Sequence, residues 1–115
     1  MSFDEITVQR VWQKGQIVFL VDPNIWRKDQ CNARISRFQY GNRNSDYGWE
    51  IDHIIATSNG GSDDISNLRP LQWENNLRKS DGQLACPVSF DGTKNIHIRA
   101  RFNALLRALS ARSIL

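Results

Sequence analysis

Within about thirty residues the chain sets one carboxylate, one imidazole and two carboxamides at fixed intervals. Asp52 precedes His53, and Asn67 and Asn76 follow that histidine by 14 and 23 residues. An acid beside a histidine is a pair that can hold a hard metal ion and deprotonate a water next to it. With an ordinary pKa near ~6.5, histidine is partly neutral at physiological pH and can accept that proton. Taken singly, a histidine in Ile51-Asp52-His53-Ile54 reads as a satisfied structural residue, and Asp, Asn and Gly at turns read as turns. The joint order of Asp52-His53, Gly60-Gly61, Asn67-Leu68-Arg69-Pro70-Leu71 and Asn76 with Lys79 is what points to chemistry.

Several elements must position these groups. Residues 49–56 suit a strand, and Thr57 to Asp64 is a loop by composition. Leu68 to Leu71 forms a second strand, short or at an edge because of Pro70. Gln72 to Ser80 holds helix formers and stops at Asp81-Gly82. Successive strand side chains leave opposite faces, so Asp52 and His53 share a site only if a bulge or twist re-aims one of them. Irregular strand geometry is therefore expected there.

Upstream, residues 1–48 read as strands and turns. Ile17-Val18-Phe19-Leu20-Val21 is a candidate buried strand, and Ala33 and Ile35 alternate with Arg34 and Ser36 before a turn at Gly41-Asn42. Trp12, Trp26 and Trp49 read as packing residues, with nucleic-acid contact an alternative for Trp26-Arg27-Lys28. Downstream, residues 83–95 read as irregular, with a turn at Asp91-Gly92-Thr93. His97 reads as structural or surface. A final helix beginning near Ile96 carries Ile98, Phe102, Leu105, Leu106 and Leu109 on one face, which predicts core packing. Arg107 then lies on the opposite face, and Arg99 and Arg101 flank the stripe.

The 115 residues amount to one domain, 1–115, with a net charge of +3. Charge is unevenly spread: residues 94–115 hold five basic side chains and no acid. A second cluster of Arg27, Lys28, Arg34, Arg37 and Arg43 is offset only by Asp29. Clustered positive charge favours a polyanionic partner, the bland alternative being a solvated face. No apolar run approaches a membrane span, and Met1 to Glu5 lacks the basic start of a signal peptide, so a cytoplasmic location and no membrane partner are expected. Cys31 and Cys86 lack a CxxC pair, which argues against a structural zinc. Free thiols are the expectation for a cytosolic chain, and a single disulfide is the alternative.

The order and spacing from Trp49 to Asp81 resemble the HNH endonuclease family, small stand-alone bacterial or phage type. That resemblance implies an α+β fold: a ββα-metal core over about 49–81, with an N-terminal strand and turn extension and a C-terminal amphipathic helix. It implies that Asp52 and Asn76 bind a divalent metal, that His53 is the general base, and that Asn67 holds the loop and the histidine ring. Gly60-Gly61 and Lys79 match further family positions. Asn rather than His at position 76 gives oxygen ligands, which suit Mg²⁺ or Mn²⁺. The implied activity is hydrolysis of DNA phosphodiester bonds, one strand per active site, so paired cuts would need a homodimer. Lys79 and Arg78 are the expected contacts to the cleaved strand, with Arg99 and Arg107 as an outer phosphate rail. A non-catalytic nucleic-acid-binding module and a toxin-type nuclease are the alternatives.

Overall fold

The structure is a computed structural model that describes residues 2–79 and 83–113, the side chains of 100–102 and 111–113 excepted. The predicted helix stop at Asp81-Gly82 and the side chains of Phe102 and Arg101 lie outside the described residues. In chain order the elements are α1 (Glu5–Trp12), β1 (Trp26–Lys28), β2 (Arg34–Ser36), β3 (Trp49–His53), β4 (Leu68–Gln72), α2 (Trp73–Leu77), β5 (Val88–Phe90), β6 (Asn95–His97) and α3 (Ile98–Ser113). The strands form three separate antiparallel pairs, β1–β2, β3–β4 and β5–β6. This is a small α+β fold of short strand pairs and helices.

The N-terminus corrects the expected strand and turn extension, because it begins with a helix. Asp4 caps α1 by accepting from the Thr7 amide at 2.8 Å, and Glu5 in the first turn favours the positive end of the helix dipole. Val8, Val11 and Trp12, spaced three and four apart, are buried by α1. β-Branched Ile6, Thr7, Val8 and Val11 weaken intrinsic helicity, but capping and the buried face outweigh a per-residue preference of a few tenths of a kcal/mol. The core then forms where α1 meets β3–β4. Val8, Val11, Trp12, Ile35, Trp49 and Leu68 cluster there, with the Trp49 ring 5.3 Å from Trp12 and 4.8 Å from Tyr40.

Other readings need revision as well. The apolar run Ile17 to Val21 is an exposed loop, with Phe19 86% and Leu20 89% exposed. Residues 83–95 contain β5 and the start of β6, joined through Asp91, whose carboxylate accepts from the Thr93 and Lys94 amides. Cys31 and Cys86 are joined in a disulfide across 55 residues, not left as free thiols. Their spacing carried no sign of the pairing, because only the fold brings the two segments together. Finally, α3 exists but its apolar stripe is not covered: Ile98, Leu105, Leu106 and Leu109 are 44–56% exposed. Periodicity reports that a helix has an apolar face, not that anything packs on it.

A buried carboxylate ties the halves together. Asp29 is 2% exposed and accepts from the backbone amides of Cys31, Ala33 and Gln72, each at 2.9 Å, and from Asn75 Nδ2 at 3.1 Å. Burial pushes its carboxyl above the usual range, against the pull of those four bonds. Asn75 in turn exchanges bonds with the Val88 backbone, so β1, β4, α2 and β5 meet at one hub.

Candidate active site

The site is built on β3–β4 and the loop between them. Pairing is unbroken from Trp49↔Gln72 to His53↔Leu68. The expected bulge is therefore absent, and Asp52 and His53 leave opposite faces of β3. β4 tolerates Pro70 because a two-stranded sheet has no second ladder to break.

His53 faces the side of the N-terminal segment, with the Phe3 ring 6.0 Å away. Its Nε2 lies 2.6 Å from Asp63 Oδ1, so an acid ten residues along the loop holds the ring. An open cavity of about 530 Å³, lined by Phe3, His53, Thr57, Gly61, Ser62 and Asp63, leads to this pair. The loop is stapled by Asn67. Its Oδ1 accepts from the Ile55 amide at 2.8 Å, and its Nδ2 donates to the carbonyls of Ile55 at 3.1 Å and Ser62 at 2.7 Å. The two glycines have separate reasons. Gly60 adopts φ +87°, and a Cβ on Gly61 would lie 1.7 Å from the Ile55 carbonyl oxygen.

On the other face, Asp52 is 1% exposed and paired with two cations: Arg69 Nε at 2.7 Å on Oδ2, and the Lys79 ammonium on Oδ1. Arg69 stands directly across the ladder and also donates to Gln30. Glu50 shares this face, two residues back. It accepts from Asn76 Nδ2 at 2.8 Å and from Arg43 Nε at 2.7 Å. Burial alone would push the Glu50 carboxyl up, but the bonds from Arg43 and Asn76 and the Arg43 charge outweigh it and leave it below the usual range. Burial likewise lowers the Lys79 ammonium from its ordinary value.

The structure thus brings Asp52, Lys79, Glu50 and Asn76 to one side of β3, and His53 with Asp63 and Asn67 to the other. Among the described residues no cluster of three or more His, Cys, Asp or Glu could hold a metal ion. The donors beside β3 nevertheless suit a hard cation by type, since Glu50, Asp52 and Asn76 all carry oxygen. Lys79 already stands in as a positive charge on Asp52. The remaining expected contacts are scattered: Arg78 is exposed at the end of α2, and Arg99 and Arg107 are exposed on α3. Much of the N-terminal basic cluster is spent internally. Arg37 pairs with Glu5, Arg43 with Glu50, and Arg27 donates to the carbonyls of Pro23, Gln13 and Gly15.

Three residues of the site escaped the sequence reading. Glu50 was within reach, because i and i+2 on a strand share a face with Asp52. Arg69 required the register, and Asp63 required the path of the loop. His97 also finds an acid that is remote in sequence, Glu74.

Residues 30–82 match the family model of the HNH endonuclease. Over that interval the chain is similar to an HNH endonuclease domain. No curated protein and no solved structure matches the chain. The matched interval contains Glu50, Asp52, His53, Asp63, Asn67, Asn76 and Lys79, and it leaves out α1, the β5–β6 hairpin and α3. An HNH domain points to nuclease activity. Among the described residues no helix is long and apolar enough to cross a membrane.

Proposed function

We propose that this HNH domain is a divalent-metal-dependent endonuclease that hydrolyses DNA phosphodiester bonds, cutting one strand per active site. The observation that carries the reading is His53 at the end of β3, held by Asp63 at 2.6 Å over an open cavity, on a loop stapled by Asn67. His53 takes the proton from the attacking water. Asp63 fixes the ring and stabilises the imidazolium that results, the part a carboxylate plays beside any catalytic histidine. With Nε2 engaged by Asp63, Nδ1 is the nitrogen left to take that proton. Asn67 keeps the loop, and therefore Asp63, in register.

Asp52, Asn76 and Glu50 are the residues that would hold Mg²⁺ or Mn²⁺. Because Asp52 and His53 leave opposite faces of β3, such an ion would act on the phosphate that His53 serves only where the substrate turns round the end of the strand; there it would neutralise charge developing on the phosphoryl group and the departing oxygen. Lys79 and Arg69 keep the buried Asp52 charge compensated in its absence. Arg78, Arg99 and Arg107, all exposed, supply sequence-independent phosphate contacts.

Incubation of supercoiled plasmid with Mg²⁺, Mn²⁺ or EDTA tests the proposal. Conversion to the open circle with metal, and none with EDTA or with His53→Ala, is expected. A protein that binds the plasmid but never nicks it under any of these ions would instead be a non-catalytic binding module.

A further inference from the structure

The second cavity of interest shares no lining residue with the one at His53. It has a volume of about 260 Å³ and is lined by Val18, Val21, Trp26, Arg34, Tyr47 and Phe90, among others. Three aromatic rings and one guanidinium form its walls. Trp26 and Tyr47 meet edge to face at 5.1 Å, and Arg34 Cζ lies 3.8 Å over the Phe90 ring. Flat π faces with a cation among them are the surfaces on which unpaired bases stack.

Directly beside this cavity stands an apolar tip. Val18 and Val21 line the pocket and bracket a turn closed by the Val21 amide on the Val18 carbonyl, which projects Phe19 and Leu20 into solvent. Leu20 adopts φ +63°, at a turn position where glycine or asparagine is ordinarily found. A branched side chain is strained there, and at 89% exposure no packing in the fold offsets it. Strain kept for an exposed apolar side chain points to a role outside the fold.

We infer that this face extrudes a base from the nucleic acid the HNH domain binds. Phe19 and Leu20 wedge between neighbouring base pairs, as apolar side chains do in proteins that unstack a duplex. The base so displaced enters the neighbouring pocket and stacks on the Trp26 ring, with Tyr47 edge-on to that ring and the Arg34 guanidinium, held over Phe90, closing the pocket round it. Charge favours this occupant over a lipid tail or an apolar peptide, because Arg34 lines the pocket itself and Lys28 and Lys94 lie close by in sequence. No bond is made or broken in this step. The preference it produces is for mismatched, branched or otherwise weakly paired DNA, where unstacking costs least. The inference rests on the endonuclease reading in taking DNA as the substrate.

A duplex carrying 2-aminopurine as the immediate neighbour of a mismatched base, held with the full chain in EDTA, separates the two ideas. Anisotropy reports binding and 2-aminopurine fluorescence reports unstacking. The wild-type chain should bind and raise the fluorescence. Phe19→Ser combined with Leu20→Gly should abolish the rise. Glycine suits the +63° turn and the side chains removed are exposed, so circular dichroism should show the fold unchanged. Trp26→Leu keeps an apolar side chain but removes a π face, and should weaken binding to the mismatched duplex by at least about fivefold, the low end of what one stacked base contributes. Binding without any fluorescence change, or a rise that survives in the tip variant, would overturn the base pocket and leave the endonuclease reading standing. Failure to bind any duplex would remove that reading and the base pocket with it. Loss in the tip variant of pelleting with phosphatidylserine vesicles, with DNA behaviour unaltered, would assign the tip to a membrane surface instead.

Discussion

Replacing Asn67 by alanine is the sharpest probe of how the loop serves the histidine. The change deletes three side-chain hydrogen bonds: one accepted from the Ile55 amide, and two donated to the Ile55 and Ser62 carbonyls. At a net ~0.5–1.5 kcal/mol each, three bonds amount to roughly 1.5–4.5 kcal/mol. Ile55 and Ser62 are exposed, so water replaces part of that, and a loss of about 1–2 kcal/mol is expected. The cost falls on the loop and not the whole domain, because the backbone pairing of β3 with β4 is untouched. Amide hydrogen exchange at Ile55 should therefore accelerate by about 5- to 30-fold. The Ile54 amide, which bonds to the Asn67 backbone carbonyl at 2.8 Å, should keep its protection and serve as the internal control. Once the loop is loose, Asp63 no longer holds His53, and nicking should fall by up to about a hundredfold. A large rate loss with Ile55 exchange unchanged would mean that Asn67 acts on the reaction directly. Faster exchange with an unchanged rate would show that the loop does not position the histidine.

Four other outcomes follow from the same contacts. His53→Ala should cut the nicking rate by roughly 10²–10⁴-fold with melting temperature and DNA affinity preserved; an unchanged rate would remove the general-base assignment. Asp29→Ala strands four donors at roughly 1 kcal/mol or more each, a large part of an ordinary margin of about 5–15 kcal/mol, so urea titration should show a severely destabilised or unfolded chain. Reducing the Cys31–Cys86 bond reopens a loop of 55 residues, worth about 4 kcal/mol in the chain-entropy model, and the urea midpoint should drop while the nuclease elements keep their far-ultraviolet signal. The fourth concerns pH. The Glu50 carboxyl is lowered in the folded chain, so its contribution to stability is present above the usual glutamate range and is lost as pH falls through the lowered value. Glu50→Gln should flatten that acid limb of the melting profile, and an unaltered profile would show that the Arg43–Glu50–Asn76 contacts contribute nothing net.

What the sequence by itself determined was local. Strand, loop, strand and helix over residues 49–79 follow from alternation, turn residues and helix formers, and each of these acts over a few positions. Gly60 and Gly61 were legible for the same reason, since a positive φ and a close backbone approach both demand glycine nearby. The turn at Asp91-Gly92-Thr93 was also legible, although the short strands on either side were too brief to show a period. The capped helix at Asp4 was written in the chain, through Thr7 and the spacing of Val8, Val11 and Trp12, but its β-branched residues pointed the other way. Only the tertiary structure decided which acid meets His53, because Asp63 reaches it through the course of a loop and not through any periodicity. It also decided that Asp52 is neutralised by Arg69 and Lys79, that Cys31 finds Cys86, and that the leucines of α3 stay exposed while the valines of α1 are covered. Side-chain pattern states which faces are apolar or charged; what lies against a face depends on chain segments far apart in sequence, and that information exists only once the backbone has closed on itself.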